Sequence, residues 1–119
     1  MIELDINPFQ IGIWCPYIKI STFSLEEIIL KEGWINVPRV PIFELPKGYL
    51  HNYILIDGHG RHKIAKKTNT FLPCNLYVPG EFIDVEKDNL APFKYSNKSL
   101  DSDFYQRLVL GYEILQKQW

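Results

Sequence analysis

The order of apolar and polar positions divides the chain into short apolar runs, one polar helix and one broad apolar stripe. The densest run is Ile54, Leu55 and Ile56, continuous branched residues of the kind found in a strand buried on both faces. Asp57 and Gly58 break it, Gly60 adds a second permissive point, and residues 61–67 follow with good helix formers. Ile64 and Ala65 are the expected inward face of that helix. Upstream, the spacing predicts a helix with Ser24 as N-cap, Glu27 three residues later, and Phe23 and Ile28 as an apolar staple. Its core face is Leu25, Ile28 and Ile29, its water face Glu26, Lys31 and Glu32, and Gly33 ends it.

Between these helices, Pro38, Pro41 and Pro46 frame a strand at Val40 and Ile42-Phe43, with the prolines at its start and margins. Pro46-Lys47-Gly48-Tyr49 reads as a turn, and residues 52–56 return antiparallel. After the basic helix, Asn69-Thr70 stops it and Pro73 leads into a strand at 74–78. Tyr17-Ile18-Lys19-Ile20 reads as a further short strand. In residues 1–16, Ile11, Ile13 and Cys15 alternate with Gly12 and Trp14, which predicts a strand or an extended arm covering a sheet edge. The stripe lies at the end. Phe104, Leu108, Gly111 or Tyr112, and Leu115 recur at helical spacing over 101–117, with Tyr105 and Val109 beside them and Trp119 closing it. Ser99, Asp101 and Ser102 offer caps. This helix is expected to pack on the sheet, or else to serve a homodimer or another protein.

Length and charge narrow the classes. A chain of 119 residues makes one domain. A net charge of −1 makes the surface as a whole no magnet for nucleic acid, so any attraction for phosphates is local. Cys15 and Cys74 share no metal-type spacing and sit among apolar neighbours, so buried reduced thiols are expected. No apolar run approaches the ~20 residues that span a bilayer. The start, Met1-Ile2-Glu3-Leu4-Asp5, is not that of a secretory leader, so the expected location is cytoplasmic, with no membrane partner.

The candidate chemistry sits at residues 57–63. A helix opening at a Gly-containing turn presents N–H groups and a positive dipole end that attract phosphate or carboxylate. Gly58 and Gly60 let the backbone approach an anion, the N–H groups of residues 59–61 cradle it, and Arg61 offers a fork of donors. Asp57 has three readings: a partner for Arg61 or for a metal, an acceptor of a substrate proton, or a turn residue bonding the backbone. His59 and His62, three apart, with His51 as a third, raise a zinc site, which their spacing does not define. Lys63, Lys66 and Lys67 form either a solvated face or, with Arg61, a basic patch for nucleic acid. Glu81, Asp84, Glu86 and Asp88 make an acidic segment that shields this helix, binds a cation or is simply solvated. Residues 90–98 read as a connection.

Asp57-Gly58-His59-Gly60-Arg61, the Ala-containing helix after it and the Pro73 strand resemble the core of the ParB/sulfiredoxin-like superfamily. Ser24-Leu25-Glu26-Glu27-Ile28-Ile29 is similar to that family's first helix, and Gly33 then Pro41-Ile42-Phe43 to the segment before its hairpin. The resemblance covers residues 17–79 and leaves 80–119 as an acidic loop and terminal helix. It implies an α+β fold, a small mixed or antiparallel sheet with packed helices. It also implies binding of a nucleotide or another phosphorylated ligand, with Mg2+ where phosphate is hydrolysed or transferred. Asp57 would be the catalytic residue, and Gly58, His59, Gly60, Arg61 and Lys63 the phosphate ligands. Departures are equally specific. His59 stands where sulfiredoxins carry their cysteine, so that activity is not expected. His59 and Gly60 replace the Glu and Arg that partition proteins use for CTP, and Gly60 replaces a histidine of the free-serine kinases, whose catalytic glutamate lies near Glu27. The rival reading is a non-enzymatic, DNA-associated or protein-binding accessory factor on the same scaffold.

Overall fold

The computed structural model describes residues 1–15, 23–83 and 98–117. The strand expected at 17–20, the acidic positions 84, 86 and 88, most of the 90–98 connection and the closing Trp119 lie outside them. In chain order come β1 (Ile2–Ile6), a single 3-10 turn (Pro8–Gln10), β2 (Ile11–Gly12), α1 (Phe23–Glu32), β3 (Val40–Glu44), β4 (Tyr53–Leu55) and α2 (His59–Thr68). Then follow β5 (Leu72–Tyr77), β6 (Phe82–Ile83), β7 (Lys98–Ser99) and α3 (Ser102–Lys117). Five strands form one mixed sheet in the order β1-β5-β3-β4-β2, and β6 and β7 form a separate antiparallel pair. The fold is thus a small mixed α+β domain.

The alternation of side chains in the central strands decides the layers. Ile54 and Ile56 point with Phe43 toward Leu108 and Tyr112 of α3. Leu55 points with Val40, Ile42 and Cys74 toward Ala65 of α2. All of these are buried, as a strand covered on both faces requires. Ile29 of α1, Val37 and Ile64 extend the second face. The helix at 23–32 begins before Ser24, which is its second residue and not its cap. Ile28 is exposed instead of in the core, and Ile29 and Leu25 carry the contact. Glu26, expected in water, is half-buried and paired with Lys67 at 3.0 Å. Gly33 closes α1 at φ 73°, donating its N–H to Ile29 O.

Both edges of the sheet come from the first twelve residues. β1 pairs antiparallel with β5, Ile2 opposite Leu76, and β2 pairs parallel with β4, Ile11 opposite Tyr53. The 3-10 turn between them is capped by Asn7, whose Oδ1 accepts the Phe9 N–H at 3.0 Å. The sheet therefore reaches well outside residues 17–79.

Pro41 lies second in β3, which is flanked by β5 and β4. Its carbonyl accepts the Ile56 N–H at 3.0 Å, but proline has no N–H to return. An antiparallel pair normally exchanges both bonds. The ladder is half-made here, and here β4 leaves the sheet for the turn at Asp57 and Gly58. Pro38 and Pro46 lie outside β3 as expected, but Pro41 is paired within it, opposite Asn75 of β5, and its missing N–H falls where β4 ends.

Two glycines let α3 close on the sheet. A Cβ on Gly12 would stand 2.4 Å from the Tyr112 ring, and one on Gly111 2.9 Å from Trp14 O. The helix is capped by Asp101, whose carboxylate accepts the Phe104 N–H at 2.8 Å. Phe104 and Tyr105 meet Phe43 edge-on, and Leu110 and Ile114 stay exposed on the outer side. Among the described residues no helix is long and apolar enough to cross a membrane.

Candidate functional site

The turn after β4 is built as its sequence suggests at Gly58 and differently at Gly60. Gly58 is the residue before α2 and holds φ 92°, the left-handed region that other residues resist. A Cβ there would also lie 3.1 Å from Val40 and from Arg61 Nη2. Gly60 is the second residue of α2 and its φ is not positive, so the second permissive point is not used. The helix has no side-chain cap and no acidic residue in its first turn, and its first internal bond is His62 N–H to Gly58 O at 3.0 Å. A positive helix end is thus presented with no carboxylate inside the helix to neutralise it.

Arg61 points inward. The residue is only 9% exposed. Its Nη1 donates to Pro38 O at 2.7 Å and to Arg39 O at 3.3 Å, which pins the loop leading into β3. Burial lowers its pKa, and the charge of Asp57 opposes that effect. The fork expected to face a ligand is therefore engaged with backbone. Asp57 is half-buried, and no ion pair within 4 Å joins it to Arg61. The residue before α2 is Gly58, which has no side chain with which to cap it.

The histidines do not converge. His62 is 1% exposed and its Nε2 lies 2.8 Å from Pro8 O, so the ring donates there and ties α2 to the 3-10 turn. Burial pushes its pKa down to about 4. His51 faces the other helix. Its N–H donates to Tyr112 Oη at 3.2 Å, and its Nδ1, 2.7 Å from the same oxygen, accepts the hydroxyl proton. Its pKa is lowered by burial and then by Lys66. No group of three possible metal ligands occurs among the described residues. His59 lies elsewhere again, its Nε2 3.5 Å from Cys15 Sγ and its ring edge-on to Trp14 at 6.4 Å.

The basic residues also separate. Lys63 is exposed one turn into α2. Lys66 lies over the Phe9 ring at 5.5 Å, and Lys67 pairs with Glu26. Arg39, just before β3, bonds Cys74 O at 3.1 Å and Asp5 at 3.0 Å. Glu81 accepts the Val78 N–H and pairs with the Met1 amino group, its hydrogen bonds lowering its pKa. Cys74 is buried as expected, with its thiol pushed up to about 12 by burial, whereas Cys15 is half-exposed. Sequence reasoning passed over Cys15 as part of the site because 44 positions separate it from His59. No protein-family model matches the chain, and no curated protein matches it.

Proposed function

We propose that the chain binds a phosphorylated ligand, a nucleotide first among them, at the start of α2. One observation carries this reading: a first turn with neither cap nor acid, opened by a left-handed glycine at the end of a buried strand. The N–H groups of residues 59–61 take the phosphate oxygens and Gly58 leaves room for them. Lys63 adds an exposed cation, and Arg61 adds charge from behind the turn. Asp57, at the strand's end, would hold Mg2+ or take a proton if phosphate is transferred or hydrolysed. A non-enzymatic role is the second reading. It rests on Leu110 and Ile114, exposed one turn apart on the outer side of α3, where a partner chain or a second copy would dock.

The test is a thermal-shift screen of nucleotides, inorganic phosphate and phosphorylated metabolites, with and without magnesium. A ligand at about a hundredfold excess over its Kd adds about 2.7 kcal/mol, a rise in Tm on the order of 10 °C for a domain of this size. Lys63→Glu, an exposed change that leaves folding intact, is expected to weaken the hit at least severalfold. Arg61→Ala is the poorer probe, since it also frees the loop at Pro38 and Arg39. No shift with any of these compounds would sink the proposal and direct attention to α3.

A further inference from the structure

β2 runs parallel to β4, so the residues after Gly12 travel alongside the turn that opens α2. This brings Cys15 to His59, the first residue of that helix, with Sγ 3.5 Å from Nε2. The imidazole is held in place by Trp14, whose ring meets it edge-on and whose backbone in turn packs over Gly111 of α3. Cys15 and His59 are both half-buried, so neither is sealed in the core.

We propose that Cys15 and His59 form a reactive thiol–imidazole pair that undergoes exchange with small-molecule disulfides. His59 takes the thiol proton and the Cys15 sulfur attacks one sulfur of the disulfide. The S–S bond of the reagent breaks as a new one forms to Cys15, and the departing half leaves as a thiolate that receives the proton from His59. Cys15 is oxidised to a mixed disulfide and the released half is reduced to a thiol. The positive end of α2 works in the same direction, since a thiolate beside a helix N-terminus or a histidine forms more readily. The other ionisable groups of the turn are Asp57 before it and Arg61, His62 and Lys63 after it. The α3 residue behind Trp14 is Gly111, which carries no charge. The inference does not depend on phosphate binding.

Cys74 supplies an internal control. It is buried, and its thiol is pushed up to about 12. Native chain treated with glutathione disulfide or dithiobis-nitrobenzoate should be modified at Cys15 alone, as read by peptide mass, and at both cysteines once unfolded. The pH midpoint of the rate should lie at least about one unit below that of the unfolded chain. Such a shift multiplies the thiolate about tenfold below the midpoint and costs about threefold in intrinsic nucleophilicity, a net gain of about threefold. His59→Gln should remove both the shift and the gain, with Cys15→Ser as the blank. The wild-type pH profile decides the matter even if His59→Gln folds poorly. A midpoint equal to or above that of the unfolded chain, or modification of Cys74 ahead of Cys15, would overturn the proposal.

Discussion

Helix α3 lies on its face of the sheet through Leu108, Tyr112 and Leu115, with Phe104 and Tyr105 edge-on to Phe43. Helix α2 lies on the opposite face through Ile64 and Ala65, and through two polar side chains turned inward, Arg61 and His62. Each polar anchor ends on a backbone carbonyl: Pro38 and Arg39 for the arginine, Pro8 for the histidine. Apolar contact is graded, because many small dispersion terms add and a partial loss is tolerated. A buried polar anchor is closer to all-or-none, since losing one partner leaves the other without its bond. Helix α3 also makes such a bond, Tyr105 Oη to Glu44 O at 2.9 Å, but at an exposed position, so the sheet is held by a more forgiving helix on one side and a more conditional one on the other.

Acid should separate the two most strongly. His62 is neutral in the fold, with its pKa pushed down to about 4 from an ordinary 6.5. The unfolded chain therefore binds the proton first as pH falls. The anchor's contribution is whole above pH 6.5 and is lost as pH drops toward 4, about 3 kcal/mol over that window. His51, lowered by burial and by Lys66, adds in the same direction. Urea denaturation across this range should show the loss, and His62→Gln, which keeps a donor for Pro8 O and cannot titrate, should flatten it. An unchanged slope in that variant would assign the acid sensitivity elsewhere.

Next in size is Arg61→Ala, expected to cost about 2–3 kcal/mol in the same assay by removing two charge-assisted bonds and a buried stem. Arg61→Lys should recover only part of it, because an ammonium lacks the planar fork. The smallest change tests α3. Tyr112→Phe keeps the ring against the sheet and removes only the hydroxyl between His51 N–H and Nδ1, for a loss of about 1 kcal/mol. If it costs as much as Arg61→Ala, the division between forgiving and conditional faces fails.

What could be read in advance follows the same line. The buried run at 54–56, the hairpin to β3, the glycine turn and the stripe of α3 are local patterns, and they appear where the periodicity puts them. β1 carries a local pattern too, with Ile2, Leu4 and Ile6 alternating with Glu3 and Asp5. The direction of Arg61 was not legible. An arginine in a first turn looks the same in sequence whether it meets solvent or carbonyls 22 and 23 positions earlier. The same holds for His62 and Pro8, and for Cys15 and His59, pairs that exist only once the sheet has formed. Long-range polar contacts leave no local period.

The placing of β1 and β2 bears on the path of folding. The segment of β1 and β2 closes the sheet at both margins, and Ile2 cannot meet Leu76 until β5 is in place. Such distant pairings raise the contact order and slow the search. The hairpin of β3 and β4 with α2 is the local nucleus available earlier, and the leading arm is a strap fastened last. Refolding should show the His62 tether to Pro8 forming in the final, slow step, so a mutation in the arm should speed unfolding while leaving the folding rate nearly untouched.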